Sequence, residues 1–325
     1  MDRTSRAALR TLASNALLVS IALLAVGFAT LEDTFLTLRN IAALLDQSAV
    51  FAVLAVGATF GIISRNIDIA PASVIALGTV VVALVVHSGQ GLALGALAGG
   101  AAIVAIYLAH GVLVGWLDLD PLIVTLAAWI WARGLAITLT NATTLSLNLP
   151  FVAFMNAPIV FGLTLSSVCA ALVFALGGMV LRHTPIGMNA FALGQDAKLL
   201  REAGVDPAAA KFAIFGVMGL TTAIGMILMI ARIGAAAPTA GFGLELDAIV
   251  AVIIGGTSFQ GGRGRMLNTL YGVAFIAVLD NGLTGLQMGD PEFLLAKGFA
   301  ILVALLLDVG GRRMLERNDR VSRMR

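Results

Sequence analysis

The stretch LGQDAKLLREAGVDPAAAKF, Leu193 to Phe212, places three acidic and three basic residues in an otherwise apolar part of the chain. It belongs to a polar region, residues 182–211, and the flanking segments 159–181 and 212–231 contain no charged residue. Because about 20 consecutive apolar residues can cross a bilayer as a helix, both flanks are predicted membrane spans. The sequence therefore predicts that residues 182–211 form a polar loop between two spans.

A short helix is predicted inside this loop. Asp196 is a good N-cap, and Gly204 suits the left-handed position that follows a helix. Leu199, Leu200 and Ala203 fall on one face of the helix between them. A helix of about two turns is marginal alone in water, so this apolar face needs a partner. The residues alone leave two interpretations open, a plain surface loop and a docking helix for a cytoplasmic subunit.

The amino-acid composition of the whole chain is also that of a membrane protein. Hydrophobic residues make up 59% of the 325 residues and charged residues only 12%, against about 25% in a soluble domain. We predict an all-α fold, a polytopic transmembrane helical bundle of about ten spans that forms one domain over residues 1–325. The third and eighth apolar runs are short for a span, which indicates clipped ends or broken helices. The ten runs are 14–31, 47–63, 72–87, 92–114, 122–140, 159–181, 212–231, 246–256, 268–286 and 293–309.

Basic residues predict the orientation, because they are enriched in short cytoplasmic loops. They precede the first run and follow the last, so both termini are predicted to be cytoplasmic and the number of spans even. With ten spans, the loops that hold Arg65, residues 182–211, and the pair Arg263 and Arg265 also lie inside, whereas the opposite loops hold only Arg39 and Arg232. The terminal basic residues are Arg3, Arg6, Arg10, Arg312, Arg313, Arg317, Arg320, Arg323 and Arg325.

No motif in the chain predicts an enzyme. No G-x-x-x-x-G-K-[ST] phosphate loop occurs, and GGRGR at 261–265 is interpreted as a tight cytoplasmic turn. His87, His110 and His183 are far apart in sequence, and no pair has metal-ligand spacing. We expect no catalytic residues, no bound metal and no cofactor in this chain. Any energy for transport must then come from another chain or from an ion gradient.

The segment GFGLELDAIVAVIIGGTSFQGGRGRMLNTLYGVAFIAVLDNGL, Gly241 to Leu283, resembles the permease subunits of bacterial ABC importers for monosaccharides, the ribose/xylose/galactose group. Its matches to that family's pattern include Glu245, Leu246 and the glycine-rich part from Gly255 to Gly264. Further matches follow in order along residues 40–310. They are Ile67, Asp68, Pro121, Thr125, Leu126, Arg133, Gly134, Gly187, Gly194, Ala203, Gly204, Lys297, Gly298 and Asp308.

The resemblance implies the membrane subunit of an ATP-driven importer in the bacterial inner membrane. Such a chain forms the translocation path for a monosaccharide or related polyol that a periplasmic binding protein delivers. It pairs with a second copy or a paralogue and contacts an ABC ATPase subunit, which binds the ATP. The lipid bilayer surrounds it, and no nucleic acid is expected as a partner.

The resemblance also implies a role for the polar loop. In such importers a cytoplasmic loop before a late span carries the coupling helix, which the ATPase grips. The residues implied for this role are Asp196, Leu199, Leu200, Arg201, Ala203 and Gly204.

Five polar residues in or near the spans are candidates for the pathway or for a structural role, because a charge in hydrocarbon is costly unless paired or hydrated. Asp68 is expected to cap the third span, with Pro71 in its first turn. In this region Arg65 replaces a glycine of the family's G-G-I-D-L-S pattern. Arg133 and Lys297 are expected to pair with acids inside the bundle or to snorkel. The five candidates are Asn66, Asp68, Arg133, Glu245 and Lys297.

Three alternatives differ from this interpretation. A secondary transporter of about ten spans would be driven by an ion gradient and needs no docking loop. A branched-chain amino-acid permease of the same superfamily would have a different pattern around residues 241–264. An intramembrane enzyme is least favoured, because no catalytic constellation is present.

Overall fold

The computed structural model describes residues 16–147, 150–159, 162–289, 291–303 and 306. Two two-residue strands, β1 (Leu145–Ser146) and β2 (Ala235–Ala236), pair antiparallel. The terminal basic residues on which the predicted orientation partly depends lie outside the described residues. The helices are α1 (Ala16–Leu31), α2 (Leu38–Ile63), α3 (Pro71–His87), α4 (Leu92–Gly115), α5 (Pro121–Thr140), α6 (Pro150–Asn156), α7 (Leu165–His183), α8 (Pro185–Gln195), α9 (Ala197–Glu202), α10 (Pro207–Ile233), α11 (Leu244–Ile254), α12 (Met266–Gly285) and α13 (291–303).

The predicted all-α, polytopic class is confirmed. Among the described residues, six helices are long and apolar enough to cross a membrane, namely α2, α4, α5, α7, α10 and α12. Each of the ten predicted runs overlaps a helix among the described residues, but α11 has only 11 residues. At 1.5 Å per residue it reaches about 16 Å, roughly half of the hydrocarbon core. The count of ten spans therefore stays a prediction.

Aspartate–proline pairs fix where two of the long helices begin. The Asp120 Oδ1 accepts hydrogen bonds from the backbone N–H groups of Leu122 at 2.8 Å and Ile123 at 3.2 Å. Asp206 caps α10 in the same way, with Pro207 in its first turn. Proline is well tolerated there because its missing N–H would have no partner inside the helix. The span predicted to start at residue 212 therefore starts at Pro207.

The described residues divide into two compact units, one within residues 1–44 and 274–325 and the other within residues 45–273. In the larger unit, glycines let helices pack closely. A Cβ on Gly99 of α4 would lie 2.8 Å from the carbonyl oxygen of Gly78 on α3, and one on Gly111 would lie 3.0 Å from the Cα of Phe212 on α10. Gly99 therefore allows a close contact between two helices, whereas a Cβ on Gly91 would have no neighbour within 4 Å.

In the smaller unit, polar contacts join residues distant in sequence. The amide groups of Asn40 and Asn281 are hydrogen-bonded at 2.8 Å. The Lys297 Nζ lies 2.9 Å from Asp280 Oδ1. The expected pairing of Lys297 with an acid inside the bundle is therefore confirmed, with Asp280 as the partner.

Loops of the larger unit come together in two groups. The segment after α2, the end of α8 and the glycine-rich segment before α12 meet in one place, where the Gly262 N–H donates to Ile63 O at 2.8 Å. In the other group, β1 pairs with β2, and Asn156 Nδ2 donates to Ala231 O at 2.7 Å. The side of a membrane that each group faces stays a prediction.

Candidate functional site

The first candidate site is the meeting point of three chain segments, residues 63–66, 194–195 and 258–264, which we name the loop junction. Besides the bond between Gly262 and Ile63, the Arg65 Nε donates to Gln260 O at 2.6 Å. The backbone of Gly194 is so close that a Cβ there would overlap the carbonyl oxygen of Ile63 and the nitrogen of Gly262. The polar loop is thus joined, backbone against backbone, to the segments that end α2 and precede α12.

Arg65 ends α2 in an unusual way. Its φ is 62°, the left-handed region, which non-glycine residues rarely occupy. The Asn66 N–H donates to Gly61 O at 2.7 Å and closes the helix end. Position 65, where the family pattern has a glycine, is therefore a left-handed position. In this chain Arg65 occupies that position, and its side chain reaches Gln260. Asn66 is buried, and its Nδ2 donates to Ser64 Oγ at 2.9 Å, a contact that holds the loop.

The short helix α9 has the predicted limits. The Asp196 Oδ1 accepts from the N–H of Lys198 at 2.8 Å. Gly204 follows the helix with a φ of +79°, and its N–H donates to Arg201 O at 2.9 Å. The N-cap and the glycine after the helix therefore have the expected conformations.

The apolar face of α9 differs from the prediction. Leu200 is only 4% exposed, whereas Leu199 is 51% exposed, and Ala203 is exposed. Because α9 is a helix of six residues, neighbouring positions point in different directions, and Leu200 packs inward on its own chain. We define the outward surface of α9 by Leu199, Arg201 and Ala203.

The second candidate site is a polar cluster formed by Asp68, Tyr107 and Glu245, which are buried, and by Trp129 and Arg133, which are half-buried. The Tyr107 hydroxyl donates to Asp68 Oδ2 at 2.6 Å. The expectation that Asp68 is the N-cap of the third span is wrong, because the N-cap of α3 is Ala70. Asp68 lies two residues earlier, and its Oδ1 accepts from the N–H of Ala70 at 2.9 Å.

Glu245 and Arg133 form the other half of the cluster. Glu245 Oε1 accepts from the Trp129 indole N–H at 3.0 Å. One terminal nitrogen of Arg133 donates to Pro238 O at 2.7 Å and Ala240 O at 3.0 Å. Within the described part of the chain, Glu245 Oε2 and the other terminal nitrogen of Arg133 are buried without a hydrogen-bond partner. The two residues interact electrostatically, so Arg133 compensates the charge of Glu245 without a direct ion pair.

A small cavity lies between Asp68 and Glu245. It measures about 10 Å³ and is also lined by Thr221 and Thr222 of α10. This volume is at the lower limit for one water molecule and excludes a sugar. Burial, above all, raises the pKa of the Asp68 carboxyl to about 6, while the hydrogen bonds from Tyr107 and Ala70 oppose the rise.

Sequence reasoning missed Tyr107 and Trp129, which lie inside apolar runs. A usable signal was present, because Tyr107 is one of only two tyrosines in the chain. A hydroxyl or indole N–H that is buried usually finds a hydrogen-bond partner. The sequence indicates that these two groups need partners, but their pairing with Asp68 and Glu245, 39 and 116 positions away, is visible only in the fold.

The fold and both candidate sites define a multi-pass α-helical membrane protein, with a close backbone junction between loops and carboxylates buried among its helices. Residues 40–307 match the family described as "Branched-chain amino acid transport system / permease component". The chain belongs to this family of transport-system permeases.

The chain is similar to ribose and D-allose permease proteins. The chain is 34% identical over 289 residues to the ribose import permease protein of Bacillus subtilis, covering 88% of this chain and 89% of that protein. The ribose import permease protein of Escherichia coli K12 is 33% identical, with 90% and 91% covered. The D-allose transport system permease protein of the same strain is 31% identical, with 85% of each chain covered. No solved structure matches the chain.

Proposed function

We propose that this chain is the membrane-spanning permease subunit of an ATP-driven importer and forms the translocation path for a monosaccharide or related polyol. The observation that carries this proposal is the similarity to ribose and D-allose permeases along nearly the whole chain. It favours a sugar over a branched-chain amino acid and an ATP-driven importer over a secondary transporter. We place the chain in the bacterial inner membrane, with ten spans and both termini in the cytoplasm.

The proposal assigns partners to the two groups of loops. An ABC ATPase subunit, which binds the ATP, would contact α9 on the cytoplasmic side. A periplasmic binding protein would deliver the sugar on the side of β1 and β2. A second copy of the chain or a paralogue would complete the path. No cofactor is needed in this chain, because ATP hydrolysis takes place on the partner.

The loop junction supports a coupling role for residues 182–211. A short surface helix transmits force only if it is held by something stiff. The end of α8 contacts the backbone at Ile63 and Gly262, so a displacement of α9 would be passed to the segments that end α2 and precede α12. Leu200 anchors α9 to its own chain, and the outward surface remains for the ATPase.

Reconstitution tests the proposed energy source. The chain alone in liposomes, under an imposed proton or sodium gradient, is expected to show no sugar uptake and no ATP hydrolysis. Uptake should require the ATPase subunit, the binding protein and internal ATP. The measurement is radiolabelled ribose or another pentose accumulated with and without the ATPase. Gradient-driven uptake by the chain alone would identify a secondary transporter and overturn the proposal.

Cysteine labelling tests the predicted sides. With Cys169 replaced by alanine, a cysteine at the exposed Ser146 of β1 should react with an impermeant thiol reagent in intact spheroplasts, because β1 would face the periplasm. A cysteine at the exposed Glu202 of α9 should react only after the membrane is opened. The reverse pattern of protection would show that the orientation is wrong.

A further inference from the structure

The cavity between Asp68 and Glu245 is lined by two buried carboxyl groups, whose negative charges would repel each other if both were ionised. Both side chains are more than nine-tenths buried, and the two carboxyl groups interact electrostatically. Two like charges in a confined, poorly solvated site are strongly disfavoured, and such a pair usually keeps one proton. The Glu245 Oε2 is also buried at this cavity without a hydrogen-bond partner among the described residues.

The surrounding groups distinguish the two carboxyl groups. Glu245 has a cation, Arg133, within electrostatic range and accepts the indole N–H of Trp129. Among the described residues, Asp68 accepts hydrogen bonds from two neutral donors, the Tyr107 hydroxyl and the Ala70 N–H. Arg133 therefore offsets one of the two negative charges, and the second charge needs a compact positive partner.

The other titratable groups nearby do not supply this positive charge. His110 lies one turn beyond Tyr107 on α4, but its ring packs between Tyr107 and Phe215, with ring centroids 5.4 Å and 6.1 Å away. Asp247, the other acid of α11, lies two residues from Glu245, and positions two apart point to different faces of a helix. From α10, the cavity is lined by Met218, Thr221 and Thr222, none of which carries a charge.

We propose that Asp68 is a proton-binding site, which holds a proton while the cavity is closed and releases it to water when the cavity opens. The closed cavity has room for no more than one water-sized group, so a proton on Asp68 is the simplest source of the missing positive charge. The neutral carboxyl can still accept from Tyr107, and its own O–H can donate across the cavity. Opening would hydrate Asp68 and return its carboxyl to an ordinary acidity.

The consequence is a conformation that depends on pH. The closed form binds a proton that the open form lacks, so lower pH favours closure. The same argument applies to folding, because the pKa of Asp68 is about 6 in the folded chain and has the ordinary value of 3.8 in an unfolded one. The folded chain then binds more protons between these two values, and the contribution of Asp68 to stability rises as pH falls through 6 and levels off below 3.8.

The test uses the purified full chain in lipid nanodiscs and needs no transport partner. Infrared difference spectra between pH 8 and pH 5 should contain a carboxylic-acid carbonyl band whose titration midpoint is near pH 6. This band should be lost in Asp68→Asn. Asp120→Asn serves as the matched control, because Asp120 also accepts backbone N–H groups at a helix start but is exposed to water, and the band should remain in it.

Two further variants keep the proposal testable if Asp68→Asn does not fold. Tyr107→Phe removes a hydrogen bond that favours the charged form of Asp68, so the midpoint should move to higher pH. Glu245→Gln removes the opposing charge, so the midpoint should move to lower pH. A band that persists in Asp68→Asn, a wild-type chain without the band at pH 5, or midpoints that do not move in opposite directions would each overturn the proposal.

Discussion

Replacing Gly194 with alanine is expected to reduce sugar uptake by the assembled importer to the background level. The added methyl group has no room, because it would overlap the carbonyl oxygen of Ile63 and the backbone nitrogen of Gly262. Both obstacles are main-chain atoms, so no side-chain rotation can relieve the clash. The loop junction would have to open, and α8 and α9 would lose their connection to the ends of α2 and α12.

The matched control for this variant is Gly134→Ala in α5. Gly134 is also a helical glycine, but a Cβ at this position has no neighbour within 4 Å, so uptake should be close to that of the unaltered chain. Membrane abundance and co-purification of the ATPase are measured in parallel. In Gly194→Ala the ATPase should still bind, because the outward surface of α9 is unchanged. Normal uptake by Gly194→Ala would show that the loop junction does not transmit a displacement of α9 to α2 and α12.

The helix limits of the chain could be predicted where the sequence carries local capping signals. Asp196 and Gly204 fix the start and the end of α9 through bonds to residues at most three positions away. Asp206 with Pro207 marks the start of α10 in the same local way, five residues before the apolar run begins. The extended start of α2 at Leu38 was missed, because Arg39 and Asp46 lie within it and interrupt the apolar pattern. Hydropathy thus located the helix but not its first residue.

The two candidate sites were only partly predictable, because both depend on contacts between residues distant in sequence. Asp68 and Tyr107 are 39 positions apart, and Trp129 and Glu245 are 116 apart. No periodicity in a single sequence links such positions. The family pattern did indicate Gly194, Gly261 and Gly262, but their physical reason, a main-chain contact between loops, is visible only in the fold.

The face of α9 shows a further limit of pattern reasoning. A helical projection groups Leu199, Leu200 and Ala203, and such a group would ordinarily turn toward one partner. Here Leu200 packs inside and Leu199 points outward. The reason is that α9 lies on the helical bundle with one side and leaves its other side free for a second partner. The variant Leu200→Asp would therefore damage the chain itself, since it places a charge in a buried position.

Leu199→Asp is consequently the sharper test of the proposed ATPase contact. Burying a leucine side chain at an interface contributes about 1.5–3 kcal/mol, so its loss should weaken ATPase binding by roughly one to two orders of magnitude. The charge would also have to be desolvated, which adds to the loss. Because Leu199 is half exposed in this chain, the variant should insert into the membrane normally and yet transport little sugar.

The paired control is Leu200→Ala at the adjacent buried position. Truncating a buried leucine typically costs about 2–5 kcal/mol of stability, so this variant should lower the unfolding temperature while leaving the outward surface of α9 in place. The two variants are compared by ATPase pull-down, uptake and thermal unfolding in the same detergent. Leu199→Asp should lose the ATPase at an unchanged unfolding temperature, and Leu200→Ala should show the opposite pattern. If Leu199→Asp keeps normal ATPase binding and uptake, the ATPase does not contact α9, and residues 182–211 form only a surface loop.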